Sequence, residues 1–162
     1  MATAAGAEDI LISAEDLALG YPGAAGAPVI EHVDLQVPRG AIVSLIGPSG
    51  CGKSTLLKAI AGLIPPAAGR LTIGGLAPAQ AAQRRLVGLC FQDATLLPWK
   101  SALENAAFLL SLAEPTLGRA AIRERALANL RLVGLAGSEG KLPRELSGGV
   151  RQRVAIARAL TL

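Results

Sequence analysis

The residues best suited to chemistry lie in one short glycine-rich segment. Gly47, Gly52, Lys53 and Ser54 follow the spacing Gly-x-x-x-x-Gly-Lys-Ser, with Gly50 as a further glycine inside it. Glycines allow backbone conformations that other residues avoid, so successive N–H groups can point at anionic oxygen atoms. A lysine in this segment adds a point charge for phosphate, and a serine hydroxyl can ligate Mg²⁺. The segment therefore predicts a binding site for a nucleoside triphosphate and Mg²⁺.

The elements on both sides of this segment fit the same prediction. A continuous apolar run at 41–46 precedes it and predicts a buried parallel strand, while apolar spacing over 53–63 predicts a helix that Pro65 and Pro66 end. The N-terminus of such a helix favours anions by about 0.3–1 kcal/mol per charge. Thr55 would reach the α-phosphate region. The remaining residues of the predicted phosphate loop are Pro48, Ser49 and Cys51.

A second helix start suited to phosphate occurs about a hundred residues further along the chain. Ser147 is a natural N-cap for a helix predicted over 147–160, and Gly148 and Gly149 permit close approach of the backbone to an anion. One chain seldom needs two such sites for one triphosphate. The simplest interpretation is that the second site contacts the nucleotide of another subunit.

The remaining pattern places strands in the first half of the chain and helices in the second. Strands are predicted where residues alternate or run apolar between glycine and proline turns, and helices where apolar residues recur every three or four positions. The predicted strands are 10–21, 29–37, 41–46, 71–73 and 86–91, and the predicted helices are 53–63, 101–113, 116–132 and 147–160. This order contains no internal repeat.

Composition narrows the class of protein. The 162 residues are 51% hydrophobic and 17% charged, which is typical of a globular domain. The net charge is +4, but the basic residues are scattered and aromatic residues make up only 2%, so no nucleic-acid partner is predicted. Cys51 and Cys90 do not predict a disulfide framework and favour a reducing compartment. No apolar run approaches the about 20 residues that cross a bilayer, so a role at a membrane would require a partner.

Several motifs in a fixed order carry a family resemblance. The phosphate loop is followed by FQD at 91–93 and by LSGGVRQRVAIARA at 146–159. With these motifs the chain resembles the ATP-binding subunit of ATP-binding-cassette (ABC) transporters over about 10–162. The resemblance implies a P-loop NTPase of the α/β class, with N-terminal antiparallel β strands, an incomplete parallel core sheet and an α-helical subdomain carrying the signature motif. The implied parts of one partial domain are a nucleotide-binding core at 1–95, a helical subdomain at 96–146 and a signature helix at 147–162.

The resemblance also assigns roles to residues. Gln92 would contact Mg²⁺ and the attacking water, so it is the implied catalytic residue, and with Ser54 it would ligate the metal. Tyr21 resembles the aromatic residue that stacks on adenine, a contact worth about 1–3 kcal/mol. The alternative for Tyr21 is a strand-end aromatic half packed on the surface. Residues 47–55 would hold ATP, and residues 147–149 would contact the ATP of a second subunit in a head-to-tail dimer.

One apolar segment suggests a subgroup of the family. Residues 96–99, Leu-Leu-Pro-Trp, are similar to a segment in importers of nitrate, sulfonate, taurine or thiamine precursors. There the region faces the transmembrane permease subunits, so Trp99 would anchor that interface; the alternative is that it packs into the helical subdomain. Val150 stands where the family usually carries Gln, which affects one side-chain contact. His32, the only histidine, is interpreted as a strand residue without a catalytic role.

The implied function is to bind Mg·ATP and to couple ATP hydrolysis to solute import. The implied partners are a second ATP-binding subunit and permease subunits, with the chain in the cytoplasm at the inner face of the cell membrane. The family's strand ending in Asp-Glu and its later histidine do not occur within these 162 residues. We therefore expect a fragment of a longer gene product that is poorly stable alone. The alternatives are a non-hydrolysing nucleotide-binding fragment or pseudo-subunit, and a non-transport ATPase of the same class.

Overall fold

The chain divides into two units, Met1–Val87 and Gly88–Leu162, each with its own hydrophobic core. The structure is a computed structural model that describes residues 10–20 and 28–162. Along the chain, the boundary between the units lies between Val87 and Gly88, whereas the sequence predicts the end of the nucleotide-binding core at position 95. Among the described helices, none combines the length and the apolar content that a membrane span requires.

The first unit is built on an antiparallel sheet of three strands. The strands are β1 (Ile10–Leu19), β2 (Ile30–Pro38) and β3 (Ala68–Ile73). Their order is β2-β1-β3, and Ala14 of β1 lies opposite Leu35 on one side and Leu71 on the other. The antiparallel strands predicted for this part of the chain are confirmed, and β3 begins before the predicted residue 71.

One helix of the first unit packs on this sheet. The helices are α1 (Lys53–Ile60) and α2 (Pro78–Gln83). Apolar residues of the strands meet one face of α1. In β1, Ala14 and Leu17 both reach this core although they are three positions apart, because the strand pairing is irregular between them. The buried residues of this core are Ala14, Leu17, Leu19, Leu56, Ala59 and Leu71. The packing fixes the first turn of α1, at which the phosphate loop ends.

Two segments predicted as strands, the first of them as a parallel strand, are not strands in the structure. Residues 41–46 and 86–91 are not assigned as strands, and the described residues contain no parallel ladder. Ile42 is 97% exposed and Ile46 is 94% exposed. A parallel strand is buried only when strands beside it and helices over it cover both faces. The only sheet in the described part of the chain is antiparallel, so these apolar runs have no strand to pair with.

Replacing Gly69 with alanine should destabilise the first unit strongly. Gly69 has a φ of +74°, and an added Cβ would overlap the backbone carbonyl oxygen of Asp16 in β1. The left-handed conformation alone costs an alanine about 1–2 kcal/mol, and the overlap adds to that cost. We expect Gly69→Ala to lower the free energy of unfolding by more than about 2 kcal/mol in urea denaturation.

Gly74 provides the matched control for this substitution. Its φ is +56°, and an added Cβ meets no atom within 4 Å. Gly74→Ala should therefore show only the conformational part of the cost. Equal losses of stability in the two variants would mean that the close approach of Gly69 to Asp16 contributes nothing.

The second unit is a bundle of helices with small residues at the contacts. It contains α3 (Ala102–Ala113), α4 (Arg119–Leu132), a short 3₁₀ helix (Pro143–Glu145) and α5 (Gly148–Thr161). Its buried core comprises Ala102, Leu103, Ala106, Ala126, Leu130, Leu135, Leu146, Val154 and Ala157. A capping box fixes the start of α3, where Ser101 Oγ accepts from Glu104 N and Glu104 Oε2 accepts from Ser101 N. The helices predicted for this half of the chain are confirmed, with α4 starting at Arg119 rather than at 116.

Candidate functional site

The phosphate loop ends at a helix start that has no side-chain cap. Gly52 is the N-cap residue of α1 with a φ of +94°, and no side chain accepts a bond from the first turn. The first backbone bond of the helix runs from Leu56 N to Gly52 O at 2.9 Å. The amides ahead of Leu56 therefore lack helical acceptors, as at every helix N-terminus, and can donate to an anion.

Lys53 places its ammonium group inside this loop. Its Nζ donates to Gly47 O at 2.8 Å and to Pro48 O at 2.6 Å, and it lies 3.5 Å from Cys51 Sγ. An ammonium carries three donors and no acceptor. The positive charge is thus held by carbonyl groups of the loop, at the place where phosphate oxygens could replace them.

The space at the start of α1 is a small open cavity. It has a volume of about 260 Å³ and is lined by Val29, Gly50, Gly52, Lys53, Ser54 and Thr55. Ser54 is exposed and Thr55 is buried. The cavity thus combines a cation, two hydroxyl groups and a helix N-terminus. Phosphate oxygens and a hydrated Mg²⁺ are the ligands that suit this set of groups.

The signature motif forms a separate helix start in the second unit. Ser147 caps α5, because its Oγ accepts from Val150 N at 3.4 Å. Ser147, Gly148 and Gly149 are all exposed. Val150 packs against the core of the second unit, which gives a structural reason for an apolar residue at the position where the family usually has Gln. The exposed amides of this helix start remain able to meet an anion from outside the unit.

Gln92 lies in the second unit, in a bend of the chain beside α5. It is exposed and lines an open cleft of about 540 Å³ with Gly148 and Gln152. The structure thus brings Gln92 and one signature residue to the same cleft. Two polar side chains of α5, those of Gln152 and Arg158, hold this bend. They were not identified from the sequence, because their hydrogen-bond partners are about sixty residues away along the chain.

The loop after Gln92 is held by hydrogen bonds to one buried side-chain amide. Asn105 is fully buried in α3; its Oδ1 accepts from Leu97 N at 2.8 Å, and its Nδ2 donates to the carbonyl groups of Leu97, Lys100 and Ser101 at 3.1, 2.8 and 3.0 Å. Trp99 on this loop is 70% exposed, so it does not pack into the helical core. Asn105 was not predicted from the sequence, although a polar residue on the apolar face of a predicted helix is a usable signal.

Tyr21 and His32 are the two remaining residues singled out in the sequence. Tyr21, the predicted adenine contact, lies outside the described residues. His32 is exposed on β2, and its Nδ1 lies 2.6 Å from Asp16 Oδ1. This hydrogen bond raises the pKa of His32 above its ordinary value. The contact joins β2 to β1 at the exposed surface of the strand pair.

Comparison with known proteins gives one consistent result. A family model described as "ABC transporter" matches residues 30–162. The chain is 49% identical over 131 residues to a taurine import ATP-binding protein, TauB, of Rhizobium johnstonii, covering 81% of this chain and 48% of that protein. It is 46% identical over 134 residues to an Fe(3+) ions import ATP-binding protein, FbpC, of Rhizobium etli, covering 82% of this chain and 37% of that protein.

A solved structure gives the same result for the fold. The dimeric post-hydrolysis state of the ATP-binding cassette MJ0796, bound to ADP and Pi, superposes with a TM-score of 0.82 at 32% identity. The match covers 93% of this chain and 69% of that chain. Against the two import proteins, this chain spans less than half of their length.

Proposed function

Because this chain belongs to the ABC transporter family, we propose that it is the ATP-binding part of an importer. It binds Mg·ATP at residues 47–55, and in the whole protein ATP hydrolysis drives uptake of a solute. The observation that carries this proposal is the phosphate loop, where Lys53 and the uncapped start of α1 line one cavity. Phosphate recognition needs this combination of fixed N–H donors and a point charge.

Each residue of the loop has a distinct part in nucleotide binding. The first-turn amides of α1 would donate to phosphate oxygens, and Lys53 would exchange its bonds with Gly47 and Pro48 for bonds to the β- and γ-phosphates. Ser54 is exposed at the same cavity, so its hydroxyl can ligate Mg²⁺. The bound metal would offset negative charge on the phosphates. Gln92, by resemblance to the family, would contact this Mg²⁺ and the attacking water.

The exposed signature residues are the basis for proposing a second ATP-binding subunit as partner. Ser147, Gly148 and Gly149 present an open helix start at the surface of the second unit. In the proposed head-to-tail dimer, this start meets the phosphates held by the partner's loop. The related cassette MJ0796 was solved as a dimer bound to ADP and Pi. Each nucleotide would then lie between a phosphate loop and a signature helix of different chains.

The exposed loop at 96–99 is the basis for proposing permease subunits as the other partner. Trp99 offers a large aromatic surface, and the buried amide of Asn105 fixes the loop that carries it. Exposed, rigidly held tryptophans are frequent anchors of protein interfaces. The chain would thus act in the cytoplasm at the inner face of the membrane, bound there through permease subunits. The matched relatives are named for import of taurine and of Fe(3+), and the solute would be selected by other subunits.

Titration with a fluorescent ATP analogue tests this function. We expect saturable binding that tripolyphosphate displaces, because the loop recognises phosphates. Gly52→Ala should weaken binding more than Gly50→Ala, since an added Cβ at Gly52 overlaps Ile30 Cγ2 while that at Gly50 meets no atom within 4 Å. In both variants the alanine must adopt a positive φ, which costs about 1–2 kcal/mol, so Gly50→Ala is the matched control.

Two results would count against the proposal. The first is the absence of saturable binding to the folded wild-type chain. The second is equal binding by wild type and Gly52→Ala, because then the shaped loop would not be the binding site.

A further inference from the structure

The segment 88–95 bends beside α5. Gly88 lies against Ala159, and Cys90 Sγ contacts Ala155 O at 3.6 Å. The chain bends at residues 92–93, and Thr95, beyond the bend, accepts from the Arg158 side chain of the same helix. Gln92 therefore stands at the tip of a bend whose two arms both contact one helix. All of these contacts lie within the second unit.

Two side chains of α5 hold the backbone on either side of Gln92. Gln152 Nε2 donates to Phe91 O at 2.9 Å, immediately before Gln92. The Arg158 guanidinium donates to Ala94 O and Thr95 O, each at 3.0 Å, and to Thr95 Oγ1 at 3.2 Å. The two residues stand about 9 Å apart along the helix axis. One holds the arm that enters the bend, and the other holds the arm that leaves it.

The contact with Arg158 stabilises an unfavourable backbone conformation. Thr95 has a φ of +44°, which is rare for a β-branched residue. Such a conformation persists where surrounding groups over-determine it. Arg158 bonds both the carbonyl and the hydroxyl of Thr95, so it supplies that restraint. Without it, the loop after Gln92 would be free to relax to an ordinary conformation.

The chemistry of this contact requires arginine. Arg158 is half-buried, and this burial lowers the pKa of its guanidinium. The group nevertheless stays charged, because arginine is not deprotonated in proteins. Its planar fork donates to several acceptors in fixed directions, whereas a lysine ammonium is a compact charge on a flexible stem. Lysine could keep the charge without keeping the geometry.

We propose that Arg158 and Gln152 are positioning residues for Gln92. They fix the bend at 91–95 to α5, so that the Gln92 side chain starts from a defined backbone position. The inference rests on the proposed role of Gln92 at Mg²⁺. Neither Arg158 nor Gln152 is assigned a contact with nucleotide or metal. Their effect is exerted through the backbone that carries Gln92.

Backbone NMR relaxation of the whole chain without nucleotide tests the restraint itself, because it reports the mobility of each N–H whether or not that N–H is hydrogen-bonded. We expect Arg158→Ala to lower the order parameters in 92–96 from the rigid range of about 0.85 to below about 0.6, and to leave α3 and α4 unchanged. Arg158→Lys should not restore the order. Arg153→Ala is the matched control, because Arg153 lies on the same helix and its bond goes to Val133 O instead.

Three outcomes of this experiment would overturn the proposal. They are unchanged order parameters at 92–96, full order in Arg158→Lys, and an equal fall in α3 and α4, which would indicate general loss of packing. If Arg158→Ala does not fold, Gln152→Ala decides the question through the order parameters at 90–94. The proposal then requires lower values in that segment alone.

A double-mutant cycle tests the link to Gln92. The readout is the gain in ATP affinity on adding Mg²⁺. We expect Gln92→Ala and Arg158→Ala each to reduce this gain, and the double variant to lose no more than Gln92→Ala alone. Additive losses would show that Arg158 acts independently of Gln92. A wild-type chain that binds ATP without any effect of Mg²⁺ would refute the proposed role of Gln92, while NMR relaxation would still decide the restraint.

Discussion

Lys53→Ala is expected to lower the affinity for ATP by at least about 100-fold. Hydrogen bonds to charged groups contribute about 1.5–3 kcal/mol each, and Lys53 would bridge two phosphates. Every 1.4 kcal/mol is a factor of ten in affinity, so the loss of two such bonds exceeds two orders of magnitude. Lys53 Nζ already lies within the loop, on the carbonyl groups of Gly47 and Pro48. Titration with a fluorescent ATP analogue measures the change.

Lys141 provides the control for this variant. It is an exposed lysine of the second unit and is not part of the phosphate loop, so Lys141→Ala removes the same charge while leaving the loop sequence intact. Its affinity for ATP should match that of wild type. Similar losses for Lys53→Ala and Lys141→Ala would indicate that net charge, and not the loop, governs binding.

Ser147→Arg is expected to abolish ATP-dependent dimer formation while leaving ATP binding within about threefold of wild type. Ser147 is exposed and caps α5, and the proposed partner nucleotide would approach this cap. A long arginine side chain would occupy that approach, and loss of the cap costs about 1 kcal/mol in helix stability. The chain's own phosphate loop is a separate segment and keeps its geometry. Sedimentation with and without Mg·ATP measures the dimer.

Ser111→Arg is the matched control for this variant. Ser111 is exposed on α3, where its Oγ donates to Phe108 O at 2.7 Å. The substitution adds the same side chain to the same unit without touching the signature motif. A dimer that survives in Ser147→Arg, or is lost equally in Ser111→Arg, would contradict the proposed place of the signature residues.

The phosphate loop was predictable from the sequence because its determinants are local. Glycine spacing, the lysine and the following apolar face of α1 all lie within twenty residues. The antiparallel strands and the helices of the second half were predictable for the same reason, since apolar periodicity is a local signal. The start of α4 was predicted at 116, three residues too early, although Gly118 stands at the N-cap.

The features that the sequence did not predict depend on distant parts of the chain. Whether 41–46 forms a strand depends on a neighbouring strand, and the described sheet supplies none. Asn105 can be buried because the backbone of the loop at 97–101 supplies hydrogen-bond partners for its amide. In the sequence, Arg158 is one of several basic residues on a helix, and only the structure shows that it donates to Thr95 O. Local periodicity contains no information on such pairs.

A mixture of Lys53→Ala and Ser147→Arg chains tests the central claim most directly. In a head-to-tail dimer, one composite site would combine the intact loop of Ser147→Arg with the intact signature of Lys53→Ala. The other site would carry both defects. Sedimentation with labelled ATP should show no ATP-dependent dimer for either variant alone. The mixture should form a heterodimer that holds one ATP for two chains. A mixture that stays monomeric, while wild type dimerises with ATP, would contradict the paired arrangement of phosphate loop and signature helix.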